Sequence, residues 1–493
     1  MKIPNKLEII IFSSGAIVMV LELIGSRILA PILGTSIFVW SSLIGIVMGA
    51  LSLGYYLGGQ FSKKSPNLNF LARILLIAGL TILLITIIKT PILNFTANLG
   101  VKFGSVTAAL ILFGPPSVIL GMVSPYAVRL KVENVKDSGG VAGNLYALST
   151  IGSIAGTFLA GFYLIPTFGS SQILYGLSFT LILISLIAGH KIIKIITLIL
   201  VLVLWLIPKS TAAQIVFEGD SAYNHIKIID VVDPKTNRPI RALYLATESH
   251  SIKYLDADEI FASYHKLYRL DNLFVPQINS ALTLGGGAYV APLDFLNRYS
   301  EAQMTVVEID PELTKIASSY FDLKPNHRLN IIHQDARIFL NKNQKKFDVI
   351  YGDVFNSYVS IPFQLTSLEA ISKISDSLND NGVFILNLAS SLSGQKSLFL
   401  QAEYKTLKRY FPQVYIFTTQ NPNQAKPAEI QNIILIASKN NELITREKLI
   451  ERANDNQKEL LKYWFNQDIL INQDIPILTD DFAPVDYYIS KFL

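Results

Sequence analysis

The chain has 493 residues, 51% of them hydrophobic and only 16% charged, with no cysteine. This is too apolar for an ordinary soluble chain, and the missing thiols exclude disulfides, thiolate nucleophiles and cysteine metal sites; the six histidines are scattered without ligand spacing, so no metal is expected. Residues 1–210 carry 14 Lys and Arg against 4 Asp and Glu, a net of +10, and the rest 28 against 33, a net of −5, so the overall +5 marks membrane flanks and gives no footprint for a nucleic acid.

Length alone allows about three domains. Ile9 to Leu29 is the first long apolar segment, and about 20 such residues span a bilayer. No small-residue cleavage site follows it, so it reads as an anchor. Further spans are expected at Ile37–Gly59, Leu71–Ile88, Phe103–Val123, Val141–Ile165, Ser171–Ala188 and Ile192–Ile207. The total is about seven, with only Gly189-His190-Lys191 between the last two. Glu22 and Arg27 stand five apart on the first helix, and ionisable groups at membrane depth are costly enough that mutual pairing near an interface is expected. Small residues at helical spacing, Gly45, Gly49, Gly54 and Gly58, then Gly152, Gly156 and Ala160, predict close helix packing without any transport function. Pro115-Pro116 predicts a kink.

After Pro208 the pattern changes. Ile215 to Phe217, His225 to Ile229 and Ala242 to Leu245 are rich in β-branched residues, and the turn Asp233 to Asn237 lies between the last two, which predicts a small antiparallel β-element. Glu259 to Leu270 reads as a helix carrying Tyr264 and His265. Ala281 to Leu284 is a short apolar strand that runs into Gly285-Gly286-Gly287, where missing Cβ atoms let the backbone turn tightly and approach a ligand. A helix opens near Ala291. The next strand, Met304 to Val307, ends on Glu308 with Asp310 behind it, about 20 residues past the glycines, where a carboxylate can grip a ribose diol. Strands around Asn330 to Ile332 and Phe347 to Tyr351 lead to Asp335 and Asp353. Open parallel sheets bind ligands at the carboxyl ends of their strands, so these three acids should converge. A dinucleotide site is the alternative, but Val290 occupies the last glycine or alanine position of G-x-G-x-x-G, and such a site gives no reason for an acid after the third strand. Downstream, a helix Ser367–Leu378, a stop at Asn379 to Gly382, strands near Val383–Leu386, Val414–Phe417 and Ile433–Ala437, and a helix Gln401–Tyr410 complete a doubly wound sheet with an antiparallel edge. Leu478 to Pro484 reads as a closing turn, with approach to the ligand cleft as the other possibility.

Taken jointly, Leu21-Glu22, Gly34, Ser221-Ala222-Tyr223-Asn224, Tyr264-His265, Leu284 to Gly287, Val307 to Asp310, Asp335-Ala336-Arg337, Tyr351 to Ser357, Ile361-Pro362 and Thr479-Asp480-Asp481 resemble the membrane-fused relatives of spermidine synthase, the polyamine aminopropyltransferases. The resemblance implies a class I methyltransferase-like, Rossmann-like catalytic domain that moves an aminopropyl group from decarboxylated S-adenosylmethionine to an amine such as putrescine, releasing methylthioadenosine. It implies that Gly285, Gly286 and Gly287 pass beneath the methionine-derived tail, Glu308 holds the ribose, Asp335 with Ala336 meets the adenine, and Asp353 is the catalytic acid group. Tyr223, Asn224, Tyr264, His265 and Asn356 would line the amine and cofactor pockets. Two positions depart from the pattern: soluble members carry aspartate right after the third glycine and three residues after the catalytic acid, where this chain has Ala288 and Asn356. The pocket is thereby short of negative charge.

The expectation is therefore a polytopic membrane domain over residues 1–210, a β-element over 211–275 and a spermidine synthase-like domain over 276–493. The partners would be a small-molecule amine and the lipid bilayer, with no nucleic acid; soluble relatives commonly associate, which leaves a homo-oligomer open. The rivals are a methyltransferase using ordinary S-adenosylmethionine, and a transporter or sensor with an adenosyl- or polyamine-binding soluble domain. Lys and Arg flank the N-terminal side of the spans, which puts the N-terminus in the cytoplasm. Seven crossings would then carry the soluble domain outside, away from a donor made in the cytosol; one segment lying along the interface, Ile192–Ile207, would keep it cytoplasmic, and that placement is favoured.

Overall fold

The computed structural model describes residues 6–63, 66–186, 214–246, 248–354, 361–421, 426–465 and 472–491, together with Ile195. The chain forms two compact units, Met1–Ala212 with Gly219–His225, and Ala213–Glu218 with Ile226–Leu493.

Four helices of the first unit are long and apolar enough to cross a membrane: Lys6–Leu33, Ile37–Phe61, Leu68–Ala97 and Val135–Thr167. Gly100–Leu112 and Gly114–Lys131 meet at a bend of 47° and make a fifth if taken as one broken span. Pro115 and Pro116 stand in the first turn after the break, where a missing N–H leaves no helical bond unmade. Ser170–Ser185 is apolar but has only 16 residues, too few for the core of a bilayer. Four or five of the expected seven spans are present among the described residues, and the segment expected at Ile192–Ile207 lies outside them apart from Ile195.

Packing explains four of the six glycines in the small-residue pattern. A Cβ on Gly54 or Gly58 would sit 2.2 or 2.6 Å from the carbonyls of Val118 and Met122, and one on Gly152 or Gly156 would sit 2.1 or 2.3 Å from those of Phe12 and Ala16, so these helices touch backbone to backbone. Gly45 and Gly49 face nothing within 4 Å. The expected Glu22–Arg27 pair does not form, because residues five apart on a helix point about 140° apart. Arg27 instead donates to the carbonyls of Ile165 at 3.1 Å and Ser221 at 2.7 Å.

In the second unit, β2 (His225–Val232), β3 (Pro239–Leu245) and β4 (Glu248–Tyr254) form an antiparallel meander with β1 (Ile215–Asp220) beside β2. The larger sheet has seven strands: β5 (Ser280–Leu284), β6 (Gln303–Glu308), β7 (Leu329–His333), β8 (Phe347–Gly352), β9 (Leu378–Ser390), β10 (Gln413–Thr418) and β11 (Gln431–Ser438), in the order β10-β11-β9-β8-β5-β6-β7. Strands β5 to β9 are parallel, and β11 runs antiparallel between β9 and β10. This is a Rossmann-like mixed sheet, with the reversed strand one place in from the edge. Helices cover both faces, and β8 and β9 are accordingly almost continuously buried. Asp310, Asp335 and Ser367 cap the helices that follow them, accepting from the N–H groups of Glu312, Ile338 and Ala370.

Two local expectations change. The helix expected over Glu259 to Leu270 starts only at Ser263, because Ile260 is bridged to Lys253 of β4, and it breaks before Asp271–Phe274. Asn379 to Gly382, expected to stop a helix, lies within β9.

Candidate active site

The glycine turn follows β5 and faces β4. Gly285 has φ +89°, and a Cβ there would stand 2.2 Å from the carbonyl oxygen of Asp353, so only glycine lets the turn lie against the end of β8. All four N–H groups of the turn are spent within the protein. Gly285 donates to the Val307 carbonyl (2.9 Å), Gly286 and Gly287 to Glu308 Oε2 (2.8 and 3.1 Å), and Ala288 to Ser251 Oγ (3.2 Å). A dinucleotide site would need such groups for its pyrophosphate; here a carboxylate already holds two of them.

Glu308 is 5% exposed, and its Oε1 accepts from the Asp310 N–H at 2.9 Å. Burial pushes its carboxyl above the usual range, and the three N–H donors pull part of that back. Each carboxylate oxygen has two lone pairs, so Oε1 keeps capacity for one hydroxyl donor. Asp335 is half-buried and caps its helix, with Ala336 buried behind it. Neither Glu308 nor Asp335 lines the cleft that opens beside the glycine turn.

That cleft is open to solvent and holds about 850 Å³ of space between the atoms, open solvent included. Its floor is Thr283, Gly285, Gly286 and Gly287, one wall is Glu248 to Ser251 of β4 with Tyr264 and His265, and the other is Asp353, Ile361, Asn387, Ala389 and Asn432. Asp353 Oδ1 accepts from Asn387 Nδ2 at 3.0 Å, its Oδ2 lies 3.3 Å from His265 Nε2, and Asn432 Nδ2 donates to Asn387 Oδ1 at 3.0 Å. The carboxylate is thus fixed on both oxygens yet remains 22% exposed to the cleft. His265 packs against Tyr264 with centroids 4.1 Å apart, and Tyr264 donates to the His250 carbonyl at 3.3 Å. Tyr268 closes the aromatic cluster; burial first, and the charge of Asp353 second, push its phenol well above the ordinary range, so it stays un-ionised.

The structure brings Asp353, Tyr264, His265 and the three glycines together. Tyr223 and Asn224 sit on the turn between β1 and β2 that belongs with the helical unit, and Asn356 lies outside the described residues. Ala288 is fully buried among Ile226, Leu243, Leu313 and Phe321, which explains an alanine there. Asp480 of the closing turn holds Arg337 and Ser367, both at 2.5 Å, and is not part of the cleft lining. Glu248, Asn387 and Asn432 were not expected; each is a strand residue without a motif, and only the sheet order brings them to one place.

Residues 262–447 match the family model described as the spermine/spermidine synthase domain. Over that stretch the chain is similar to a spermine/spermidine synthase domain. It is 27% identical over 290 residues to a probable polyamine aminopropyl transferase of Bifidobacterium longum, covering 55% of this chain and 62% of that protein. It is 22% identical over 412 residues to polyamine aminopropyltransferase 2 of Aquifex aeolicus, covering 78% and 79%. A 167-residue stretch is 32% identical to an N-terminal histidine N-methyltransferase of Emericella nidulans, covering 33% of this chain and 28% of that one. Spermine/spermidine synthase domains and methyltransferases therefore share this core, and the chemistry of the cleft has to separate them.

Proposed function

We propose that the chain is a multi-pass membrane aminopropyltransferase that uses decarboxylated S-adenosylmethionine and an amine acceptor. The observation that carries the reading is the lining of the cleft: Asp353 and Glu248 supply negative charge, no Lys or Arg is among the described lining residues, and the glycine-turn N–H groups are already taken. A ligand with positive centres fits this lining. One with a carboxylate or phosphate would meet like charge and no cationic partner.

When bound, the donor supplies a propyl carbon activated by the neighbouring sulfonium; the amine nitrogen forms a bond to that carbon, the carbon–sulfur pair goes to sulfur, and neutral methylthioadenosine leaves. The protein has to provide an unprotonated amine. With an amine pKa near 10.4, only about one molecule in a few thousand is neutral at pH 7, and Asp353, oriented by Asn387 and His265, takes the proton. The glycine turn lets the donor lie close to the backbone beside Asp353, Glu308 offers Oε1 to a ribose hydroxyl, and Tyr264 with His265 gives an aromatic wall. Asp335 and Ala336, at the end of β7, are assigned to the adenine, and Tyr223, Asn224 and Asn356 to the amine side.

Calorimetry on the full chain in detergent tests the donor class. Methylthioadenosine should bind at least tenfold more tightly, about 1.4 kcal/mol, than S-adenosylhomocysteine. The reverse order would favour methyl transfer, the chemistry named for the fungal relative.

A further inference from the structure

Tyr268 has no task in the transfer step above, and the role assigned to it here rests on that aminopropyl reading. It ends the short helix Ser263–Tyr268, one turn on from Tyr264 and three residues from His265, so the three rings share a face. The Tyr268 ring lies 5.5 Å from that of His265, 6.1 Å from that of Tyr264 and 5.2 Å from that of Tyr351 on β8, centroid to centroid. The residue is 3% exposed, and its hydroxyl is enclosed with no hydrogen-bond partner among the described residues. A buried hydroxyl left unpaired costs free energy, and a phenylalanine would fill the same place without that cost.

The groups around this hydroxyl narrow what it serves. Tyr264 and His265 come from its own helix, Tyr351 and Asp353 from β8 and its end, and Asp294 and Arg298 from the helix Val290–Arg298, which borders with Tyr268 a narrow space of about 240 Å³, open solvent included. Tyr351 already donates to Asp271 at 2.5 Å, and Asp294 is matched by Arg298 at 3.0 Å and by Arg269 at 2.5 Å. Asp353 has no such cation: its Oδ1 accepts from Asn387 at 3.0 Å, and its Oδ2 has a long contact of 3.3 Å to the His265 ring. A carboxylate oxygen has two lone pairs, so Oδ2 keeps room for a phenol donor. Burial first, and the charge of Asp353 second, keep the Tyr268 phenol un-ionised and therefore able to donate. The space beside the ring leaves it freedom to turn, and catalytic hydrogen bonds that are long in a free enzyme tighten when substrates bind. We infer that Tyr268 is a positioning residue: with donor and amine in place its O–H closes on Asp353 Oδ2, and the carboxylate, then held by Asn387, His265 and Tyr268, is fixed toward the amine whose proton it takes.

The test is Tyr268→Phe in the full chain in detergent, with methylthioadenosine release from decarboxylated S-adenosylmethionine as the readout and the best acceptor from a panel of putrescine, spermidine and butylamine. Phe keeps the ring contacts and removes the unpaired hydroxyl, so the melting temperature should stay the same or rise. At neutral pH kcat should fall about three- to tenfold, the worth of one hydrogen bond, with the donor KM unchanged. The acid limb of the kcat profile should move up by about half to one pH unit, because a carboxylate that loses a donor binds its proton more tightly. In an Asp353→Asn background the same substitution should change kcat by less than about twofold, since the two residues act as a pair. An acid limb that stays in place, or an equal loss in the Asp353→Asn background, as when the phenol bonds to Asp294 instead, overturns the role of Tyr268 and leaves the aminopropyl reading standing. Failure of the unmodified chain to release methylthioadenosine with any of the amines overturns that reading and the role of Tyr268 with it.

Discussion

Asp353 is held by the Asn387 amide and the His265 ring, and no Lys or Arg is among the described residues that line the cleft. A carboxylate fixed in this way is oriented but still able to accept a proton. Asp353→Asn should leave methylthioadenosine binding nearly intact and lower transfer by roughly 10²–10⁴, the usual worth of a positioned proton acceptor, with partial recovery as pH rises; full activity at neutral pH would refute the assignment. Gly285→Ala should be more damaging than its size suggests, because a Cβ at φ +89° would stand 2.2 Å from the Asp353 carbonyl. A cost of about 1–3 kcal/mol in unfolding free energy is expected, together with loss of transfer as the end of β8 is displaced. At this scale the sequence reveals acids at strand ends, since a strand followed by Asp or Glu is a local pattern. It does not reveal that Glu308 spends its oxygens on the N–H groups of Gly286, Gly287 and Asp310, nor that Asn387 and Asn432 meet at Asp353, because those contacts depend on which strands are neighbours.

The elements behind the cleft are tied by a buried charge. Asp271 is fully buried and accepts from both Arg298 Nη atoms at 2.9 Å, from Tyr299 at 2.7 Å and from Tyr351 at 2.5 Å. Tyr351 lies two residues before Asp353 on the same face of β8, so this network sets the position of that strand end. Removing one partner of such a pair typically costs 3–5 kcal/mol, and Asp271→Asn should lower stability by about that amount in chemical denaturation. Glu403, on the helix Leu398–Leu407, is fully buried and neither of its oxygens has a hydrogen-bond partner among the described residues. Burial raises its carboxyl well above the ordinary 4.5. The folded state therefore binds the proton more tightly than the unfolded chain. Its contribution is fully present below about pH 4.5 and is lost as pH rises toward the folded value, at about 1.4 kcal/mol per pH unit within that window. Glu403→Gln should flatten this dependence and raise the melting temperature at neutral pH; an unchanged pH profile would contradict it. The strands and most helices of this unit are legible in the sequence because hydrophobic period and capping residues are local. The helix expected over Glu259 to Leu270 fails because a bridge from Ile260 to β4 overrides helical propensity.

For the whole molecule, the helical unit has two distinct ends. Glu8 pairs with Lys131 at 2.7 Å, while Arg27 reaches Ser221 on the turn Gly219–His225, and 19 residues of helix separate Glu8 from Arg27 by about 28 Å, close to the thickness of a hydrocarbon core. The turn thus stands at the end opposite the Lys- and Arg-rich one. In a bilayer, the positive-inside rule would put the basic end in the cytoplasm and Tyr223 outside. The chain has no cysteine, which makes labelling clean: Val135→Cys and Tyr223→Cys should react oppositely with an impermeant maleimide on intact cells, and equal labelling would show that the first helix does not cross. Among the described residues, hydropathy alone reads Ser171–Ala188 like Ile9–Leu29, and the folded helix lengths tell them apart. The central claim is aminopropyl transfer, and it is tested most directly by offering the full chain both sulfonium donors with the amine panel and following products by mass spectrometry. An aminopropylated amine with methylthioadenosine, formed from decarboxylated S-adenosylmethionine alone, is the predicted result; a methylated amine with S-adenosylhomocysteine from the ordinary donor would contradict it.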